Sequence, residues 1–322
     1  MPIRILIADD VHPVLMDMLS DKGFDIHYRP GIQESEVISV ISAFEAMIVR
    51  SKFFLGSVFF EKAVNLRVVG RAGAGLDGID QEAAAEHGVS LLHAAEGNAD
   101  AVAEHTLGMM LGLLSRIASA DRTLRNGIWD REKFRGTELR SKTVGLLGYG
   151  NMGRAVAARL QSFGCRVLAY DKYLEVWPDE NAERTSLEIL QKESDILSLH
   201  IPLTPETRFW IDQTFLSSCK KGMVFINTSR GKIVKTSDLE LMLENGWLSA
   251  AGLDVFETEP VEKMEGKFPE VFCKLFSMEN VLLTPHVAGW SLESYEKISH
   301  VLAGKILDFF DPKNVKYGPN LM

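Results

Sequence analysis

Cysteine, basic charge and long apolar runs are all scarce in this sequence, and each scarcity excludes something. Three cysteines, Cys165, Cys219 and Cys273, lie far apart in 322 residues and form no C-x-x-C pair. A disulfide scaffold and a cysteine-based metal or redox motif are therefore excluded, no metal site is expected, and the sparse, odd count fits a reducing cytoplasm. Lysine and arginine total 35 against 44 aspartates and glutamates, a formal net charge of −9. That balance argues against nucleic-acid or anionic-membrane binding, although one or two local arginines can still hold a small anion. The most hydrophobic window, 106–114, falls far short of the ~20 residues of a membrane span. The N-terminus runs from Met1-Pro2-Ile3 straight into a strand-like segment, with no basic region ahead of a long apolar stretch, so no secretory signal is expected.

What is present is an ordinary globular composition, 46% apolar and 25% charged, sufficient for sizeable cores. The length implies two domains at ~100–200 residues each. Strands are expected over 3–8, 24–28, 46–49, 66–70 and 89–92, with helices over 13–19, 34–42 and 81–87. A longer helical pattern covers 98–115, and a second series follows: strands over 143–148, 166–171, 196–200, 223–227, 250–255 and 281–284, with a helix over 152–163. This alternation predicts an α/β protein with two doubly wound parallel-sheet domains. The helix-like 293–309 segment near the C-terminus is too short to bury a core alone. Because chain termini often lie close together, it is assigned to the first domain. The domains are then 1–98 with 290–322, discontinuous, and 99–289, inserted into it.

The pattern G-x-G-x-x-G occurs twice, and context separates the copies. At Gly148-Tyr149-Gly150-Asn151-Met152-Gly153 the strand ends on the first glycine, the helix begins within the motif, and the next strand ends on Asp171. This is a dinucleotide-binding arrangement: Gly148 permits the tight turn, Gly150 lets backbone approach a pyrophosphate, and Gly153 lets helix and strand close up. The helix N-terminus supplies free N–H groups for the phosphates. Asp171 can accept both hydroxyls of an adenosine ribose and would repel a 2′-phosphate, which favours NAD over NADP; Lys172 beside it is the one opposing charge. At Gly73-Ala74-Gly75-Leu76-Asp77-Gly78 a gap follows the strand, the next helix is short, and no acid stands at a strand tip. That copy is rejected as a dinucleotide site. Its backbone either cradles a carboxylate or forms a plain tight turn.

Ligands of open parallel sheets bind at the carboxyl ends of the strands. In the second series those ends carry Asn227-Thr228-Ser229-Arg230-Gly231, then Asp254 leading to Glu257-Thr258-Glu259-Pro260, then Thr284-Pro285-His286-Val287-Ala288-Gly289. An arginine, several carboxylates and a histidine thus converge where a nicotinamide would lie. Hydride transfer to a 2-oxo acid needs that set: a cation for the carboxylate, a histidine to move the proton, and a carboxylate to orient it. Singly, each has a bland explanation as a structural histidine, a helix cap or a solvated loop residue. The other histidines, His105 among them, lack this company; His200 stands at a strand tip, where it can line a cofactor cleft.

With these segments in place, the sequence resembles the D-isomer-specific 2-hydroxyacid dehydrogenase family along nearly its whole length. The segments are 70–75, 98–104, 148–153, DILSLHIPLTPET at 195–207, 227–231, GLDVFETEP at 252–260 and TPHVAG at 284–289. The resemblance implies a Rossmann NAD-binding domain inserted into a flavodoxin-like substrate domain, with closure between them. It implies Arg230, Glu259 and His286 as the catalytic trio, Glu259 raising the basicity of the imidazole. It also implies Asn151, Met152, Asp171, Pro202, Thr228, Asp254 and Gly289 as cofactor contacts, and Gly73, Ala74 and Gly75 as the loop holding the substrate carboxylate. Within the family the chain is most similar to 3-phosphoglycerate dehydrogenases, through Val49-Arg50-Ser51 and Gly70-Arg71-Ala72-Gly73. Arg50 would then meet an anionic substrate, in a cationic cleft with Arg71 and Arg230. Two positions depart from those relatives: Ala74, where a small hydroxyl residue is frequent, and Trp290, where a smaller residue is usual.

The expectation is an NAD-dependent oxidoreductase acting on a small anionic 2-hydroxy or 2-oxo acid. A homodimer is suggested by the apolar 101–114 helix, for which a core position is the other reading. After the returning helix no residues remain for the C-terminal regulatory domain that serine-pathway relatives often carry, so none is expected. Three alternatives stay open: a glyoxylate or hydroxypyruvate reductase, an NADH-sensing corepressor-like binding protein, and, weakest, a phospho-receiver prompted by Asp9-Asp10. That last reading lacks an aspartate at the tip of the third strand, which ends Ile48-Val49-Arg50.

Overall fold

The computed structural model describes residues 2–261, 270–311 and 313. The chain divides into two compact units, Met1–Asn98 with Trp290–Met322, and Ala99–Gly289. Of the C-terminal stretch assigned above to the first domain, residues 312 and 314–322 lie outside the described residues.

In the first unit the order is β1 (Arg4–Ile7), α1 (Pro13–Ser20), β2 (Asp25–Tyr28), α2 (Glu34–Val40), β3 (Ala46–Val49), α3 (Ser57–Lys62), β4 (Val68–Arg71), α4 (Gln81–Glu86) and β5 (Ser90–His93). All pairings are parallel, and the sheet order is β2-β1-β3-β4-β5. That is the flavodoxin-like order, with its switch point between β1 and β3. Successive side chains point to opposite faces, so Leu6 joins Met47, Phe59, Phe60 and Val69 on one side, while Ile5 and Ile7 join Leu15, Ile48 and Val68 on the other.

In the second unit the order is α5 (Ala99–Leu114), α6 (Ile117–Arg125), β6 (Thr143–Leu147), α7 (Asn151–Leu160), β7 (Arg166–Tyr170), β8 (Glu183–Arg184), α8 (Leu187–Glu193), β9 (Ile196–Leu199), α9 (Gln213–Ser217), β10 (Met223–Asn227), α10 (Thr236–Glu244), β11 (Leu248–Leu253), α11 (Glu270–Cys273) and β12 (Val281–Leu283). The seven strands are parallel in the order β12-β11-β10-β9-β6-β7-β8. The order reverses between β6 and β9, as in Rossmann sheets. α5 is a core helix: Ala103, Met109, Met110 and Leu114 pack with Val144, Leu146 and Val156. β11 stops at Leu253, two residues before the expected end, and the Asp254 carbonyl and side chain take amides of the loop that follows β12.

α12 (Leu292–Phe310) closes the first unit. Ser291 caps it: its Oγ accepts from the Ser294 amide at 3.0 Å, and Ser294 Oγ accepts from the Ser291 amide at 2.9 Å. This reciprocal capping fixes where the chain re-enters the unit. Leu302 and Ile306 lie over Gly70, where an added Cβ would stand 3.2 Å from each. Gly97 is tighter still, since a Cβ there would lie 2.5 Å from the Ile298 amide nitrogen, a backbone atom that cannot swing aside. Gly97→Ala is expected to destabilise the chain by about 1–3 kcal/mol through overpacking. Gly304→Ala, in α12 where an added Cβ meets nothing within 4 Å, is expected to be neutral or to stabilise by up to about 1 kcal/mol. Thermal and denaturant melts of the two variants check this.

Candidate active site

β6 delivers the chain into Gly148 with φ +97°, a conformation that L side chains resist. A Cβ at Gly148 would stand 2.5 Å from the His200 carbonyl oxygen, and one at Gly153 would stand 2.2 Å from the Gly148 oxygen. A Cβ at Gly150 would meet no protein atom within 4 Å. The three glycines therefore differ in role: two let backbone segments touch, and the middle one leaves open space at the start of α7. No side chain caps that helix, so its first-turn amides, from Asn151, Met152 and Gly153, are open to an anion. His200, at the end of β9, has a fully buried Nε2 with no hydrogen-bond partner among the described residues. Burial pushes its pKa down to about 4, so the imidazole is neutral. An open glycine cradle on an uncapped helix, beside an orphaned imidazole nitrogen, fits a dinucleotide. By contrast, after the 73–78 glycines the helix begins only at Gln81.

Asp171 follows β7 as expected, but its oxygens are already engaged. Oδ2 accepts from the Tyr149 amide at 2.8 Å, and Oδ1 accepts from the Tyr173 and Leu174 amides at 2.9 and 3.2 Å. A carboxylate has about four acceptor positions, so taking both ribose hydroxyls requires a loop amide to let go. Lys172 is paired with Glu206, which also accepts from the Tyr173 hydroxyl. The cation beside Asp171 thus already has an anionic partner. Thr228 is buried with its Oγ1 3.0 Å from Thr106 Oγ1. Pro202 is exposed, and its carbonyl accepts from the Thr207 hydroxyl at 2.7 Å; Gly289 is half-buried at the end of the His286 loop.

Arg230 follows β10 in a turn set by Asn227. The Asn227 side chain accepts from the Ser229 amide at 3.0 Å and donates to the Arg230 carbonyl at 3.1 Å. Gly231 lies against the next loop so closely that a Cβ would sit 1.7 Å from the Phe256 oxygen. On that next loop Glu259 accepts from the Phe256 amide through Oε1 at 2.8 Å, and its Oε2 meets His286 Nδ1 at 2.7 Å. Burial alone would raise the Glu259 pKa. The hydrogen bond from His286, the Phe256 amide and the charges of His286 and Arg230 outweigh it and hold the carboxyl below its usual range. Glu259 is therefore an anion fixing Nδ1, which leaves Nε2 as the working nitrogen of His286.

His286 has φ +56°, uncommon for a residue with a side chain and characteristic of sites held by their surroundings. What holds it is Asp254, which is wholly buried. The Asp254 carbonyl accepts from the His286 amide at 2.7 Å. Its Oδ1 accepts from the Thr284 hydroxyl at 2.6 Å and the Val287 amide at 2.8 Å, and its Oδ2 from the Ala288 amide at 2.8 Å. Asp254, assigned from sequence to the cofactor, thus has its visible bonds to the His286 turn. His105, which the sequence pattern left outside the site, belongs to the same network: its Nε2 lies 3.0 Å from Thr284 Oγ1 and 3.7 Å from Asp254 Oδ1. No motif marks it, since it reaches the network from α5.

The remaining expected residues lie in the first unit. The Gly73 amide bonds to the Arg71 carbonyl at 2.8 Å, so it is not open to a carboxylate. The Ala74 and Gly75 amides have no hydrogen bond among the described residues. A Cβ at Gly73 would fall 1.6 Å from Arg71 Nη1, and that nitrogen donates to the Ala72 carbonyl. The Arg50 guanidinium carbon lies 4.4 Å from the centroid of the Trp290 ring.

A family model described as "D-isomer specific 2-hydroxyacid dehydrogenase, NAD binding domain" matches residues 107–288, more than half of the chain. The chain is 32% identical to the D-3-phosphoglycerate dehydrogenase of Archaeoglobus fulgidus over 99% of its own length and 59% of that protein. It is 36% identical to the hydroxypyruvate reductase of Thermotoga maritima over 85% of its length and 88% of that protein. The chain spans about three-fifths of the phosphoglycerate dehydrogenases it matches. A D-lactate dehydrogenase from Aquifex aeolicus, solved with NAD and lactic acid, superposes with a TM-score of 0.80 at 28% identity, covering 95% of each chain.

Replacing one Asp254 oxygen by an NH₂ group, which cannot accept, leaves a loop amide unpaired. Asp254→Asn is expected to cost about 1–3 kcal/mol in a denaturant melt and to lower kcat more than it changes dinucleotide affinity, because it frees the His286 turn. Glu259 has a folded pKa below its unfolded value of ~4.3, so its ionised form stabilises the fold above that value and the contribution is lost as pH falls through the depressed one. Glu259→Gln should accordingly flatten the acid limb of stability below about pH 4, as read from Tm against pH.

Proposed function

The chain belongs to the D-isomer specific 2-hydroxyacid dehydrogenase family, and from that premise we propose that it is an NAD-dependent oxidoreductase acting at the C2 hydroxyl of a small anionic D-2-hydroxy acid. The observation that carries the reading is the 2.7 Å Glu259–His286 contact, held on the Asp254-clamped turn at the strand ends of the NAD-binding sheet. Gly148, Gly150, Gly153 and the start of α7 would hold the pyrophosphate, Asp171 the ribose, and His200, Pro202, Thr228 and Gly289 the remainder. When bound, the nicotinamide supplies the hydride acceptor or donor.

In the oxidative direction, His286 Nε2 accepts the substrate hydroxyl proton as the hydride leaves C2 and the carbonyl forms. Glu259 stabilises the imidazolium that results. Arg230 pairs with the substrate carboxylate and polarises the nascent carbonyl. Reduction runs the same steps backwards, with His286 returning the proton. The proposed substrate ligands of the first unit are the Ala74 and Gly75 amides for the carboxylate and Arg50 for a second anion.

3-Phosphoglycerate is the substrate we favour, on the strength of Arg50, which has no ion pair among the described residues. With that substrate the enzyme would serve serine biosynthesis. Hydroxypyruvate or glyoxylate reduction is the second reading, favoured by the 36% identity to the Thermotoga protein. We further propose a cytoplasmic homodimer, consistent with the scarce cysteines. α6 has no buried residue, and the exposed Ile117, Leu124, Ile128 and Trp129 on it and just beyond would give a second copy apolar surface to cover. The acidic net charge weighs against nucleic acid as a partner.

His286→Ala is expected to lower kcat/KM by about 10²–10⁴ while NADH still binds, as followed by fluorescence titration. Turnover of 3-phosphoglycerate, glycerate, lactate and hydroxypyruvate would rank the substrates. Near-full turnover by the variant would remove His286 from the chemistry. NADH binding by the native chain without turnover of any of these acids would favour a dinucleotide-sensing protein.

A further inference from the structure

The Arg50 side chain stands at the end of β3 among four aromatic and acidic neighbours, all in the first unit. Its guanidinium carbon lies 4.4 Å from the Trp290 ring centroid and 5.7 Å from that of Tyr295. Two aspartates are close, yet neither neutralises it. Asp9 Oδ2 accepts from the backbone amides of Arg50 at 2.9 Å and Lys52 at 3.4 Å. Asp10 has one oxygen on each of two phenols: Oδ1 accepts from Tyr28 at 3.1 Å and Oδ2 from Tyr295 at 2.9 Å. Burial, with the hydrogen bond to Asp10, pushes the Tyr295 pKa up to about 12, so that phenol remains a donor at any working pH. Among the described residues the one side-chain hydrogen bond of Arg50 is long, Nη1 to the Asp10 carbonyl at 3.5 Å.

An aromatic face attracts a guanidinium without cancelling its charge or covering the N–H groups at its edge. A carboxylate in the same place would do both. Trp290 remains 66% exposed, so the stack is not itself sealed from a ligand. Resting on the reading of Arg50 given above, we propose that Trp290 is a specificity-determining positioning residue. Its indole, with Tyr295 occupying Asp10, holds Arg50 flat and uncommitted, so that 2-hydroxy acids carrying a second anion at the far end are preferred over neutral ones. The ligand chemistry is a distal phosphate or carboxylate.

The test compares kcat/KM for 3-phosphoglycerate, malate and glycerate in the native chain and in Trp290→Leu, Trp290→Phe and Arg50→Gln. Leucine keeps an apolar side chain, though a smaller one, and removes the π face; phenylalanine restores a π face. Trp290→Leu is expected to lower the preference for the charged acids over glycerate by about three- to fivefold, through KM for the charged acids rather than kcat, with Trp290→Phe recovering most of it. A loss on both charged acids assigns the selection to charge, and a loss on 3-phosphoglycerate alone to phosphate. An equal loss on all three acids, or none, overturns the role of Trp290. If Arg50→Gln itself leaves the preference unchanged, the reading of Arg50 fails instead.

Discussion

The buried carboxylate of Asp254 is the interaction on which the rest of the site depends. It sits where β11 ends and gathers the hydroxyl and amides of the turn that follows β12. That turn places His286 in a left-handed backbone conformation, which is disfavoured locally and persists because several bonds over-determine it. With the backbone fixed, the imidazole meets Glu259 through Nδ1. A carboxyl group without surface exposure performs the positioning, and the partly exposed Glu259 is the anion beside the imidazole. The two roles are not interchangeable, because Asp254 is wholly buried and bonds to the turn's amides and hydroxyl, whereas Glu259 meets the turn through the His286 imidazole.

The parallel sheets explain why such distant segments meet. Every strand of the second unit runs the same way, so residues 148, 200, 228, 254 and 286, spread over more than a hundred positions, emerge at one edge. The first unit repeats the device on a smaller sheet: the ends of β1, β2 and β3 bring together Asp10, Tyr28 and Arg50. Trp290 and Tyr295 reach that edge from the returning segment and α12, whose start is fixed by the Ser291 cap and whose approach is fixed by Gly97.

Much of this was legible in the sequence, for identifiable reasons. Strands buried on both faces read as apolar runs, and β3 and β10 were placed to the residue. The 148–153 motif could be separated from 73–78 because only one feeds a strand directly into a helix. Element ends were less legible. The helix expected over 152–163 is α7 plus a 3-10 turn at Gln161–Phe163, closed by Gly164 at φ +63°. α6 went unread because its apolar residues are exposed and contribute to no core. The role of His105, the engaged oxygens of Asp171 and the Arg50–Trp290 stack depend on tertiary contacts between residues far apart in sequence, which no local pattern encodes.

In the function proposed above, His286 and Glu259 serve removal of hydride from C2 of a 2-hydroxy acid. A single turnover with C2-deuterated 3-phosphoglycerate or glycerate and NAD tests it most directly. Slower reduction than with the unlabelled acid is expected, with the deuterium on the reduced nicotinamide. Deuterium released to solvent, or left wholly in the substrate while dinucleotide is bound, would contradict it.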